Sequence, residues 1–518
     1  MIAARFAAKR SPAVAPSVMV ATSSALGTAA ALETFSRGGG AVDAAIAANA
    51  ALGVVQPMRS GLGGDCFALI EHDGAVYGYN GSGALPMGFV APDGPMPVFG
   101  GAAMTVPGLA DAWGALHRRF GRLALGTCLE PAIRLARSGF PLGIEESAEW
   151  VSEARRLAPD AHEMFLPGGH APVPGQVLVN PAQARALETI AAEGERAFYE
   201  GRLGEAIVRA ANGHGSELTM VDLAGHRGEW VEPLAAARYA GWEILELPPN
   251  GDGAVVVGAL AALASDGDMS LELLSARRVH RQAEAVKAAF AEAATCIGDP
   301  NAGGSPGRLC DPEWAASVRR SLDDAATTPP PEALPLPGGT VYVAVADATT
   351  TVSLISSNYA FFGTGVVVDE GGFVLQNRGA GFRALAPPGH PNRPEPRRRP
   401  FHTIIPALVR RGDTGRWGAL GVTGGQFQPQ GHVQVLHHLA CGLDVQAAID
   451  APRWHWLGGT RLALETGLVD LAPELRARGH TILAPNVVAF GAGQIVLPVD
   501  DYWHGAADAR QDSLAAGM

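Results

Sequence analysis

The stretch Thr328-Pro-Pro-Pro-Glu-Ala-Leu-Pro-Leu-Pro-Gly-Gly339, followed at once by Thr340-Val-Tyr-Val-Ala-Val-Ala-Asp347, decides how this chain is read. Proline withholds backbone donors and blocks helix, so the first half predicts an extended, unpaired arm. The second half alternates Val341, Val343 and Val345 with Tyr342 and small residues, the pattern of a half-buried strand. A hydroxyl residue thus opens a strand where a pliable arm ends. Cleavage between Gly339 and Thr340 would place a free α-amine beside the Thr340 hydroxyl, and a threonine whose own amine acts as base is a known nucleophile arrangement. The plainer reading of the same residues is a linker that ends where a strand begins.

Composition narrows the field around that segment. Of 518 residues, 47% are hydrophobic and 17% charged, enough apolar material for a large core and too little charge for disorder. The formal net charge of −12 disfavours a nucleic-acid surface, although Arg397-Arg398-Arg399 forms a local basic run. Lys9 and Lys287 are the only lysines, so phosphate loops ending in Gly-Lys-Ser/Thr and Ser-x-x-Lys pairs are absent, and a Schiff-base lysine would have to be one of these two. The five cysteines are scattered without a Cys-x-x-Cys pair, and no His-Glu-x-x-His occurs, which argues against disulfide frameworks and zinc. Charges interrupt the first ten residues, and no long apolar run follows. The sequence therefore predicts a cytoplasmic protein with no membrane partner.

Outward from the strand, the N-terminal part predicts helices over Ser23–Arg37 and Ala41–Leu52, the second built of such small residues that it must be buried, with Asp43 as a cap. Ser60-Gly-Leu-Gly-Gly-Asp65 runs into a strand, which fits close backbone approach better than phosphate binding, and Asp65 reads as a buried cap of that turn. Ala75–Tyr79 completes a hairpin. Residues 108–325 read as mainly helical, with Val279–Cys296 the clearest helix and Trp242–Leu247 a strand. Beyond Thr340 the chain turns to β, with a second strand at Val352–Ser357. The segment Pro387–Pro400 reads as an exposed lid or connector. Gly424-Gly425 can present consecutive backbone N–H groups to an oxyanion, because glycine leaves no Cβ in the way.

Taken together these segments resemble the γ-glutamyltransferase family of N-terminal nucleophile hydrolases, from about residue 18 to 495. The resemblance is carried by Gly38–Ala45, Ser60–Asp65, Glu246-Leu-Pro-Pro-Asn-Gly251, Gly298-Asp-Pro300, Thr340–Asp347, Asn358–Gly365, Leu375-Gln-Asn-Arg378, and Gly424-Gly425 with Pro429–Val435, in that order. It implies an α/β (α+β) fold of four layers, αββα, in which 1–339 and 340–518 form one intertwined unit. It also implies self-cleavage between Gly339 and Thr340, Thr340 as nucleophile, and an oxyanion held by Gly424 and Gly425. The two fragments would stay together as a large/small heterodimer, with a dimer of heterodimers as a further option. The implied partner is a small-molecule amide, and no metal or organic cofactor is required.

The chain departs from the family where a γ-glutamyl group would be held. Ser82 stands at the position of the carboxylate-binding Arg, Ala380-Gly381 at the acidic pair, His402-Thr403 at the paired serines, and Tyr359 at an Asn, with Asn358 beside it; Val341 replaces the second Thr. Arg378 or the nearby His402 could supply the group that meets a small carboxylate, the plainer readings being a structural salt bridge for Arg378 and a structural hydrogen bond for His402. Ser357, Asn358, Tyr359 and Thr403 complete the expected substrate-binding set. The run Gln376–Gly381 with Arg399-Pro-Phe-His-Thr403 is similar to a side branch containing oxamate amidohydrolases and cephalosporin acylases. The favoured expectation is therefore a Thr amidohydrolase for an oxamate-like substrate. A glutathione hydrolase or γ-glutamyltransferase, a C–C acyl hydrolase and an unprocessed scaffold remain as alternatives.

Overall fold

A computed structural model of the protein describes residues 10–264, 272–323, 325–329, 338–412, 415–483 and 490–518. The core of the proline-rich arm, 330–337, lies outside the described residues, as does Lys9. Two seven-stranded antiparallel sheets stack face to face, each covered on its outer side by helices, so the α/β class and the four-layer αββα order are as expected. One sheet runs, edge to edge, Leu514–Gly517, Met19–Thr22, Gly339–Ala346, Thr350–Tyr359, Asp65–His72, Ala75–Asn80 and Glu229–Val231. The other runs Ala13–Ala15, Tyr502–Ala507, Gly493–Val499, Gly418–Val422, Ala407–Arg411, Trp242–Glu246 and Ala237–Tyr239. Both sheets therefore take strands from either side of Thr340.

The strand Gly339–Ala346 lies in the middle of its sheet and every residue in it is buried, which corrects the half-buried expectation. Its alternation sorts residues between two apolar neighbours instead of between core and water. Val341, Val343 and Val345 pack on the helical layer with the all-buried helix Ala41–Val55, while Tyr342, Ala344 and Ala346 meet Leu408, Trp417, Ala419 and Val496 of the facing sheet. The Tyr342 hydroxyl, sealed between the sheets, hydrogen-bonds Ser353 Oγ at 2.7 Å, so the phenol itself is not stranded there. Replacing the adjacent buried Ile355 by Ala would cost about 2–5 kcal/mol, because so closed an interface cannot collapse into the gap.

Several local expectations hold. The two N-terminal helices span Ala25–Ser36 and Ala41–Val55, and Asp43 accepts from Gly40 N–H at 2.9 Å. The helix predicted at Val279–Cys296 starts earlier, at Ala276, where Ser275 caps it. The segment Pro387–Pro400 is a packed connector and not a free lid. Asn392 is buried, donates to Gly381 O at 2.9 Å and accepts from Phe401 N–H, and the Arg398 carbonyl accepts from Leu85 N–H at 3.0 Å.

Candidate active site

Thr340 sits at an irregularity in the ladder. Gly339 pairs with Tyr359, but Val341 pairs with Ser356, so the register shifts across Thr340. Such a bulge frees one residue from the pleat and re-aims its side chain. Thr340 is buried (1% exposed), and its Oγ1 accepts from Gln428 Nε2 at 3.4 Å. On the opposite strand Ser357 Oγ donates to the Gly339 carbonyl at 2.7 Å and accepts from Tyr359 N–H at 2.7 Å. The carbonyl of the Gly339–Thr340 peptide is thus already polarised by a hydroxyl that a backbone N–H supports.

Gly424 and Gly425 follow the strand Gly418–Val422 and precede the helix Phe427–Ala440. Both have positive φ, 117° and 61°, which favours glycine at each. A methyl added to Gly338 would lie 3.7 Å from Gly425 Cα, so this turn stands beside the Gly338–Thr340 segment. Among the described residues neither Gly424 nor Gly425 N–H has a hydrogen-bond acceptor within the protein. The N-terminus of a 14-residue helix adds its dipole at the same place. The strand end that leads there is fixed from behind. Val422 N–H donates to His432 Nε2 (3.2 Å), which leaves the proton on Nδ1 to donate to Glu246 Oε1 (2.8 Å). Burial pushes His432 down to about 3 and Glu246 well up, so the imidazole is neutral.

A second cluster lies on the far side of Tyr359. That residue has φ 73°, a left-handed conformation costing a bulky side chain on the order of 1 kcal/mol, and it turns its ring under Arg378, whose guanidinium carbon is 4.2 Å from the ring centroid. Arg378 is fully buried. Its Nη1 donates to Thr403 Oγ1 at 3.2 Å, while Nε and Nη2 have no hydrogen-bond partner. Around it stand His402, Asp65 and Asp252, all fully buried. His402 Nε2 is 3.1 Å from Asp65 Oδ2, and both side-chain nitrogens of His402 and both carboxylate oxygens of Asp252 lack hydrogen bonds.

Burial sets the charges here. It lowers Arg378 to about 10, leaving it cationic at neutral pH. It drives His402 well below its usual value, with the charges of Arg378 and Arg399 adding to the effect, so the ring is neutral. It holds Asp252 well above the usual carboxylate range, toward its neutral form. Asp65 rises to about 7, burial outweighing the opposing pull of Arg378. A buried cation is thus surrounded by acids reluctant to ionise, and the cluster is short of one anion.

The structure brings together Thr340, Gly339, Ser357, Tyr359, Gly424 and Gly425 at one end, and Arg378, Thr403 and His402 at the other. Asn358 does not join them. Successive strand residues point to opposite faces, and its amide reaches the Pro57 carbonyl (3.1 Å) on the helical side. Ser82 lies one layer back, its Oγ bonded to Asn80 Oδ1 at 2.6 Å, with Asn250 next to it donating to the Pro400 carbonyl. Asp65 caps Gly108 N–H (3.0 Å) and not its own glycine turn. Gln428 is the residue that the sequence reading passed over; its one signal was a glutamine in the first helical turn after the double glycine.

Elsewhere His280, Glu284 and His480 come close enough to hold a metal ion. Glu284 is already occupied, by Lys287 Nζ (2.6 Å) and by the N–H and hydroxyl of Thr327, and His280 Nδ1 lies 2.8 Å from His480 Nε2. The Glu284 carboxylate is therefore already engaged, and the buried Lys287 is consumed by it.

Two stacked sheets, a threonine at a bulge beside a double-glycine turn, and a buried cation in the same region fit an amide hydrolase or acyltransferase of the N-terminal nucleophile class. The gamma-glutamyltranspeptidase family model matches residues 27–518, and the chain belongs to that family. It is 34% identical to the Glutathione hydrolase-like YwrD proenzyme of Bacillus subtilis, over 96% of this chain and 98% of the relative. It is also 34% identical to the Oxamate amidohydrolase proenzyme of Klebsiella pneumoniae, over 95% and 97%. Among solved structures, the cephalosporin acylase of Bacillus halodurans superposes with a TM-score of 0.91 at 36% identity, covering 99% of this chain and 98% of that one. No described helix is long and apolar enough to cross a membrane.

Proposed function

We propose that this chain is a self-cleaving amidohydrolase that uses Thr340 to hydrolyse small amides bearing a carboxylate on the acyl side, with oxamate as the model substrate. The observation that carries the reading is Arg378: a fully buried guanidinium with two nitrogens lacking partners, stacked on the ring of Tyr359, the residue that pairs with Gly339 across the ladder. A buried charge without an anion is costly, and a bidentate carboxylate supplies the missing partner.

In the precursor, Thr340 Oγ1 attacks the Gly339 carbonyl carbon while Ser357 donates to its oxygen. The peptide C–N bond breaks as the acyl group passes from nitrogen to oxygen and the hydroxyl proton passes to the nitrogen, and water hydrolyses the resulting ester. Residues 1–339 then end in a carboxylate, 340–518 begin with a free amine, and the two parts remain interleaved in both sheets. In turnover the Thr340 α-amine takes the hydroxyl proton as Oγ1 attacks the amide carbon. The Gly424 and Gly425 N–H groups receive the oxyanion, the C–N bond breaks as the ammonium returns its proton to the leaving nitrogen, and water releases the acid. For oxamate the products are oxalate and ammonia.

The γ-glutamyl alternative needs an anion for the substrate α-amine. The residues at that position are Ala380 and Gly381, and the ionisable groups nearby are a cation and acids held toward their neutral forms. A substrate panel of oxamate, a glutaryl amide and a γ-glutamyl anilide tests this. Oxamate should be turned over and the anilide not; turnover of the anilide at about 1–1000 per second would overturn the proposed specificity.

A further inference from the structure

Resting on Thr340 as nucleophile, we infer that Gln428 is a further catalytic residue, the side-chain donor that orients and charges the nucleophile oxygen both in self-cleavage and in turnover. Gln428 is fully buried in the first turn of the helix Phe427–Ala440. Its Oε1 accepts from the Ile405 backbone N–H at 3.1 Å. An N–H can only donate, so the amide cannot be flipped, and Nε2 is the atom that faces Thr340 Oγ1 at 3.4 Å. Among the described residues this is the one hydrogen bond made by the Thr340 hydroxyl.

The direction of that bond matters. Nε2 has only protons to give, so Oγ1 must accept and its own proton is directed elsewhere, toward the α-amine once that is free. When Oγ1 loses its proton and attacks, negative charge develops on an oxygen already facing a donor. When the acyl-enzyme breaks down, the same oxygen leaves and the same donor receives it. Gln428 gains and loses no proton in either step. Its anchor also runs to the carboxylate end: Ile405 lies two residues beyond Thr403, which holds Arg378. The segment that positions the cation therefore also sets the amide on the nucleophile.

The experiment compares the full chain with Gln428→Met, which keeps the length and removes the donor, and Gln428→Glu, which keeps the acceptor for Ile405 N–H. Cleavage at Thr340 is followed by intact mass, and oxamate hydrolysis by kcat and KM across pH. Removing one donor from a developing oxyanion costs about 100–1000-fold where the charge is full, and Oγ1 carries part of it, so about 10–100-fold slower cleavage and a similar fall in kcat with KM unchanged are expected for Gln428→Met. In Gln428→Glu the acidic limb of the kcat profile should move up by about one unit, because a carboxylate beside the amine favours ammonium. Packing alone does not produce that shift. If Gln428→Met is not recovered folded, Gln428→Glu carries the test alone. Cleavage and kcat within about twofold of wild type, or an unmoved acidic limb in Gln428→Glu, would overturn the inference. Thr340→Ala separates the two levels: if that variant is cleaved and active, the nucleophile itself is wrong; if it is inert while the Gln428 variants behave as wild type, only the role of Gln428 falls.

Discussion

The two ends of the site are built from different material. Around Thr340 the working groups are backbone or are held by backbone: a bulge, two glycine N–H groups, and a serine hydroxyl seated on Tyr359 N–H. Around Arg378 they are side chains from distant parts of the chain: Asp65, Asp252, Arg378, His402 and Thr403. Backbone geometry is fixed by the sheet and tolerates changes in side chains. A side-chain pocket can be rebuilt without disturbing the nucleophile. On the proposed reading, this is how a chain keeps the chemistry of its family while its grip on the substrate changes.

The sharpest way to break the comparison is to attack the side-chain end and ask whether the backbone end notices. Arg378→Met should leave cleavage at Thr340 intact and raise KM for oxamate. The loss of a charge-assisted pair of about 1.5–3 kcal/mol corresponds to roughly 10–150-fold. Arg378→Lys should recover little, since a point charge cannot reproduce the fork. Failure of Arg378→Met to self-cleave would show that the two ends are one unit.

The complementary variant is Ser357→Ala. It removes the hydroxyl on the Gly339 carbonyl but nothing from the Arg378 cluster. Cleavage, followed by mass, should slow by about 10–100-fold, because one neutral donor to a developing oxyanion is lost. Once cleaved, its KM for oxamate should match wild type.

The smallest expected effect concerns pH. Asp65 has a folded value of about 7 against 3.8 for the free group. Its ionised form is thus disfavoured in the native state, and the stability it contributes is present below the unfolded value and lost as pH rises through about 7. The same ionisation places a competing anion beside Arg378. KM for oxamate should rise a few-fold as pH goes from about 6 to 8, and Asp65→Asn should flatten that rise. A KM that falls over this range would contradict the charge assignment.

Much of the scaffold was legible in the sequence because local patterns decide it. The alanine-rich helix after the triple glycine, the strand at Thr340 and the glycine turn at Gly424 each carry their signal within about a dozen residues. What the sequence could not disclose depends on layers. Alternation in Val341–Val345 reads the same whether the second face meets water or another sheet. The surroundings of Arg378 are set by Asp65, Asp252 and Thr403, which no spacing rule connects to it. Asn358 was placed with the substrate by adjacency to Tyr359, but strand geometry sends neighbouring side chains to opposite faces. Gln428 was missed because its meaning lies in two hydrogen bonds, to Ile405 and Thr340, that only the folded chain makes.

The central claim is that the Gly339–Thr340 peptide is the bond the fold is built to cut. Intact mass and N-terminal sequencing of the purified wild type beside Thr340→Ala test it most directly. The account predicts two fragments from the wild type, the smaller beginning Thr340-Val-Tyr-Val, and a single uncut chain from the variant. A wild type that remains one chain after prolonged incubation, or a smaller fragment that begins at another residue, would contradict it.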